Sequence, residues 1–298
     1  VPYFLALCAA FTAALGAAFQ DREIDSFSDA ESKGLHLLLA AIRRPMWWLG
    51  LLVLVGAPIF QYLALRVGNL TQVQPVVTTE LLFILAIIVV THKQHPGRLE
   101  WLGAAGIVAG LVIFLVTADS TGTQTTISQH WAIVITLGAI ALVGGFWSFA
   151  HFSKAWMRAA LLGAAAATCF AYQAAMTQIV AGVPITSILT QPALLGLALA
   201  GISGFLFFEH ALRAGHIAAS RASMVVVDPL LSVTIGVVVF NDKINHGPVA
   251  ITLEVLGLLV MCLGAWRLAT SPMIAETGAP KVERAPAAEA TVPEASSG

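Results

Sequence analysis

Charge is scarce in this sequence. Lys, Arg, Asp and Glu make up 10% of its 298 residues, against about 25% in soluble domains. Hydrophobic residues make up 58%, against about 45–50% in soluble domains, and mean hydropathy is +0.86. This excludes an ordinary soluble enzyme, a disordered chain and a collagen-like chain. Charge of one sign is also lacking: 15 basic residues face 16 acidic ones, so no basic field suits nucleic acid. The three cysteines, Cys8, Cys169 and Cys262, all lie in apolar runs and form neither a CxxC nor a zinc spacing. No HExxH, Walker A loop, GxSxG elbow or dinucleotide fingerprint occurs, so neither an enzyme nor a cofactor is expected.

What is present is long apolar runs. A bilayer crossing needs about 20 mostly apolar helical residues. Nine runs qualify: 1–19, 46–66, 70–91, 99–117, 131–150, 157–180, 192–212, 217–240 and 248–267. The alternating pattern of a transmembrane barrel is absent. The expected fold class is all-α, a polytopic membrane protein with nine transmembrane helices over 1–270.

Basic residues orient these spans. Thirteen fall on one side (Arg22, Lys33, Arg43, Arg44, Lys93, Arg98, Lys154, Arg158, Arg213, Arg221, Arg267, Lys281 and Arg284), and only Arg66 and Lys243 on the other. The positive-inside rule then places the N-terminus outside and the C-terminus in the cytoplasm, in a plasma membrane of bacterial type. All seven tryptophans lie near span ends, at headgroup level. The run 1–19 is read as a span and not a cleaved signal peptide, because the following segment 20–45 carries four basic residues. That segment is expected to be a cytoplasmic loop with an interfacial stretch, Leu35 to Arg44. Residues 271–298, rich in Ala, Pro and Glu, read as a disordered cytoplasmic tail.

Two blocks of the chain repeat. Ala64-Leu65-Arg66-Val67-Gly68 ends one span, and Ala211-Leu212-Arg213-Ala214-Gly215 ends another. Each is followed by a tight turn, a span with a central carboxylate, a short polar loop and a glycine-bearing span. The glycines are Gly103, Gly106 and Gly110 in one copy, Gly257 and Gly264 in the other. The copies lie five spans apart, an odd number, so they cross the membrane in opposite senses. An inverted repeat of this kind, with a site near the midplane, is a secondary-transporter architecture.

Those blocks, over about 46–117 and 192–267, resemble the EamA-like members of the drug/metabolite transporter superfamily. The resemblance rests on Ala64-Leu65, Pro75 and Gly103 to Gly110, and on Ala211-Leu212, Pro229 and Gly257 to Gly264. The first half is also similar to NIPA-type magnesium transporters in Trp48-Leu49-Gly50-Leu51 and Val73-Gln74-Pro75. It departs from them at Thr91-His92-Lys93-Gln94-His95, where that family carries an Asn-Glu-Arg-Leu-like loop. The resemblance implies transport of a small solute or of Mg²⁺.

Two acidic residues sit at span centres, Glu80 and Asp228. Charge there costs about 2.5–3.5 kcal/mol on insertion scales, so such groups face the bundle or a wet cavity. They either exchange protons, or hold a cation, or stay protonated and hydrogen-bond a neighbouring helix. Glu254 is a third candidate, nearer the outer face. Gln61, Gln74, Gln173 and Thr78 are polar groups within spans; each either contacts a substrate or ties helices together. Pro75 and Pro229 are expected to kink their helices beside the carboxylates. The identity of any metal is open. Asn69-Leu70-Thr71 matches a glycosylation acceptor.

The expected function is proton-coupled secondary transport of a small polar metabolite or ion. Partners are the bilayer and that substrate, without nucleic acid, and a homodimer stays open. The alternatives are a magnesium pathway and a non-transporting scaffold or envelope-biogenesis accessory.

Overall fold

The structure is a computed structural model that describes residues 1–25, 45–92, 95–118, 127–214, 216–242 and 247–275. Among these residues it is all helical: α1 Pro2–Asp25, α2 Pro45–Val67, α3 Leu70–Val77, α4 Glu80–His92, α5 Arg98–Thr117, α6 Gln129–His151, α7 Ala155–Ala181, α8 Pro192–Arg213, α9 Ile217–Val238, α10 Pro248–Ala269 and a final turn, α11 Pro272–Ala275. A short 3₁₀ segment, Ile185–Thr190, joins α7 to α8. Helices satisfy their own backbone hydrogen bonds, which hydrocarbon cannot do for them. The chain is a polytopic helical membrane protein.

Among the described residues, eight segments are long and apolar enough to cross a membrane. One of them, Leu70–Thr91, is built from α3 and α4 together. The expected span 46–66 corresponds to α2, whose 23 residues reach about 34 Å at 1.5 Å each. Only Val55–Val67 of it counts as a described apolar helix, shorter than a crossing. Helix α1 runs six residues past the expected end at 19. The interfacial stretch Leu35 to Arg44, Gly215 and the tail from 276 lie outside the described residues.

Helix α7 is the most buried span, and α6 and α8 are the most exposed. Small residues explain this. Ala164, Ala165, Ala166 and Ala167 let neighbours close in, and Gly163 lies against the Ser220 carbonyl of α9. Close backbone approach substitutes for the hydrophobic effect, which lipid removes as a force between helices. Trp101, Trp147, Trp156 and Trp266 are exposed on the rim.

Helices α5 and α10 form the tightest pair, and glycine is what permits it. A side-chain carbon on Gly110 would collide with the Met261 amide nitrogen and lie 2.5 Å from the Gly257 carbonyl. The reverse also holds: one on Gly257 would lie 2.7 Å from the Phe114 nitrogen and 2.9 Å from the Gly110 carbonyl. Gly103 and Gly106 meet Gly264 in the same way. The pair is antiparallel, since rising numbers on α5 meet falling numbers on α10.

Candidate functional site

The span carrying Glu80 is broken. Helix α3 ends at Val77 and α4 starts at Glu80, with Thr78 and Thr79 between them. The Thr79 hydroxyl donates to the Val76 carbonyl at 2.7 Å, and the Thr78 hydroxyl to the Gln74 carbonyl at 3.4 Å. The backbone tightens there: Thr79 N–H donates to Val76 and Leu82 N–H to Thr79, both three residues back, at 3.0 and 2.9 Å. Threonine hydroxyls that bond back to the preceding turn compete with the helix ladder and bend it. A kink, not a break, was expected, at Pro75. Proline perturbs the turn before itself, through the missing N–H and its ring, and the interruption lies after it. The threonine pair accounts for it. Glu80 therefore occupies the first turn of α4.

Asp228 has a different setting. Helix α9 runs through Pro229 without interruption. The Ser232 hydroxyl, one turn on, donates to Asp228 Oδ1 at 3.3 Å. Pro229 has no N–H to return to Val225, yet the helix continues on both sides.

Both carboxyls are half-buried within the bundle, and Glu80 lies within electrostatic range of Asp228 and of Arg221. The structure thus brings together the two acids singled out from sequence and adds a cation. Arg221 lies seven residues before Asp228 on α9, two turns away and on the same face. One of its terminal guanidinium nitrogens donates to the Ile274 carbonyl at 3.4 Å. In the sequence Arg221 counts only as a topogenic charge. Its position four residues inside the run 217–240 was the available signal.

The remaining candidates are dispersed. Gln74 is buried in α3, beside the break, and Thr78 is part of the break. Gln61 is half-buried on α2. The Gln173 carboxamide lies over Gly201 of α8, 3.3 Å from where that residue's side chain would begin, so it faces another helix pair. Glu254 is buried on α10, on the stripe with Gly257, Met261 and Leu268 that packs against α5. Among the described residues no group of three or more His, Cys, Asp or Glu could hold a metal ion.

A second polar contact went unnoticed in the sequence. Asn241, in the left-handed conformation at φ 53°, turns the chain after α9, and Asp242 follows it into the protein interior. Asp242 Oδ2 accepts from the Thr71 hydroxyl at 2.7 Å and from the Thr71 N–H at 3.2 Å. A carboxylate here caps the start of α3, where backbone N–H groups have no intrahelical partner. Gly236 leaves the room, since a side chain there would meet Thr71 Oγ1. Burial pushes the Asp242 carboxyl above its usual range, and the two bonds from Thr71 oppose that shift. The glycosylation reading fails nearby. Asn69 is buried and its side chain caps α3, accepting from Gln72 N–H at 2.9 Å.

No family model matches the chain, and no solved structure matches it. Over most of its length, however, the chain is similar to an uncharacterized protein of Corynebacterium glutamicum: the two are 26% identical over 244 residues, 79% of this chain and 84% of the other.

Proposed function

We propose that the chain is a secondary transporter of a small polar metabolite or ion, of the EamA-like drug/metabolite transporter type. The observation that carries this is the meeting of Glu80 and Asp228, from two different spans, with Arg221 inside the bundle. Ionisable groups in a membrane interior are expensive and mark solute or proton paths. A helix broken beside a carboxylate is a further feature of such folds. Proton exchange at the two carboxyls would couple to solute movement, with the two repeats rocking about them.

The α5–α10 contact supports the inverted repeat. The shift of 147 positions that aligns Ala64 with Ala211 also aligns Gly110 with Gly257 and Phe114 with Met261. The two contacts exchange under that shift, Gly110 with Met261 and Gly257 with Phe114. That is what a two-fold axis between Gly110 and Gly257 produces. In this reading α2 is a ninth span. The N-terminus is outside and the C-terminus in the cytoplasm, in a bacterial plasma membrane.

Arg221 weighs against the magnesium pathway, because a fixed cation beside two carboxylates lowers the site's attraction for a divalent ion. The test is uptake by vesicles holding the purified protein, across a panel of metabolites and Mg²⁺ under a proton gradient. Transport of one organic solute, lost in Glu80→Gln and in Asp228→Asn, is expected. Retained pH-dependent transport in both variants would overturn the reading.

A further inference from the structure

The chain does not leave the bundle at the end of α10. Ser271 N–H returns to the Leu268 carbonyl at 3.1 Å and Ile274 N–H to the Ser271 carbonyl at 3.2 Å, so the chain turns back on itself. This turn carries Ile274 into the interior, where it is fully buried. There it joins one apolar cluster with Leu81, Leu85 and Ile88 of α4 and with Cys262 and Leu268 of α10; Val225 and Val226 of α9 pack against the same cluster. Met273 packs beside it. The segment after the last span therefore wedges between the two helices that carry Glu80 and Asp228.

Arg221 ties this wedge to the carboxyls. Its guanidinium donates to the backbone carbonyl of Ile274, and it lies within electrostatic range of Glu80. We propose that Ser271–Ile274 is a plug closing one end of the carboxylate site, and that Arg221 is the positioning residue that sets it. With Glu80 ionised, the carboxylate draws the guanidinium away from Ile274 and the plug loosens. With Glu80 neutral, the guanidinium has the Ile274 carbonyl as its partner and the plug stays seated. The plug rests on the transport reading for its purpose, though its seating is measurable without transport.

Cys262 is a native reporter, because it is buried in the cluster that Ile274 completes. A chain with Cys8→Ala and Cys169→Ala, purified in detergent, would be labelled with a water-soluble maleimide. Arg221→Gln should speed Cys262 labelling by about tenfold, the opening that follows loss of one charge-assisted hydrogen bond, and Ile274→Ala, which keeps the carbonyl but removes the buried side chain, by at least as much. Arg221→Lys keeps a donor and a charge, and should label near the parent rate. Glu80→Gln should slow labelling, and that effect should vanish in the Glu80→Gln/Arg221→Gln pair. Parent-rate labelling in Ile274→Ala and Arg221→Gln would overturn the plug. A Glu80→Gln effect that survives removal of Arg221 would overturn the role given to Arg221. Failure of the transport reading shows separately, as retained uptake in the carboxyl variants with labelling unaffected.

Discussion

In the first half of the chain the span that carries Glu80 is cut into α3 and α4 at Thr78–Thr79; in the second half the helix that carries Asp228, α9, runs unbroken past it. Glu80 starts a helix, where the N–H groups of Leu81, Leu82 and Phe83 return to the Thr78 and Thr79 carbonyls of the break. Asp228 sits inside one, held by Ser232. Gly110 and Gly257, by contrast, make reciprocal contacts between α5 and α10. The contrast separates what packing requires from what chemistry uses. A two-fold contact demands glycine on both sides, whereas two carboxyls in one site need not share an environment. Their settings differ: one is at a joint between two helices and the other on a continuous rod.

Four changes probe this contrast, from the largest expected effect downward. Neutralising either carboxyl, by Glu80→Gln or Asp228→Asn, should abolish coupled uptake in vesicles while the protein still purifies as a folded species. If only one variant loses uptake, the two carboxyls do not form one site. Next come Gly110→Leu and Gly257→Leu. Each forces a side chain against backbone and should cost at least about 1–3 kcal/mol, read as a lower melting temperature in detergent. The reciprocal contact predicts similar losses; a large inequality would break the symmetry.

The joint should be more sensitive than the rod. Thr78→Ala with Thr79→Ala removes the hydroxyls that bend the span and should straighten it, lowering uptake by about tenfold with little change in melting temperature. Ser232→Ala removes one neutral hydrogen bond, about 1 kcal/mol, and should change uptake only a few-fold. Equal effects would remove the distinction between the two helices.

The smallest effect concerns Asp242. Its carboxyl is raised in the folded protein by burial, so the fold favours its protonated form. That contribution is fully present below the ordinary carboxylate range and is lost as pH rises through the raised folded value. Melting temperature should therefore fall slightly across this window, and Asp242→Asn should flatten the slope. An unchanged slope in that variant would assign it to another group.

The helical class and eight of the nine apolar spans were legible because each rests on local composition. Apolar length alone marks the runs, and an acid at the centre of one needs no partner to be noticed. Features that depend on distant partners were not legible. Thr71 and Asp242 are 171 positions apart, and nothing local marks Asp242 as more than a loop residue. Arg221 was hidden by its usefulness as a topogenic charge. Asn69 matched a three-residue pattern whose surroundings the pattern ignores. The break was not anticipated because a threonine pair is a quieter local signal than a proline, although its hydroxyls bond back to the preceding turn. The chain after α10 was read as tail from its composition, yet one isoleucine four residues beyond Thr270 is enough to anchor it.

The most direct measurement is proton release from the purified protein in detergent during titration with a metabolite panel and Mg²⁺, for wild type, Glu80→Gln and Asp228→Asn. Proton exchange at the two carboxyls predicts release by one organic solute in wild type and none in either variant. Release that persists unchanged in both variants, or that follows Mg²⁺ alone, would contradict it.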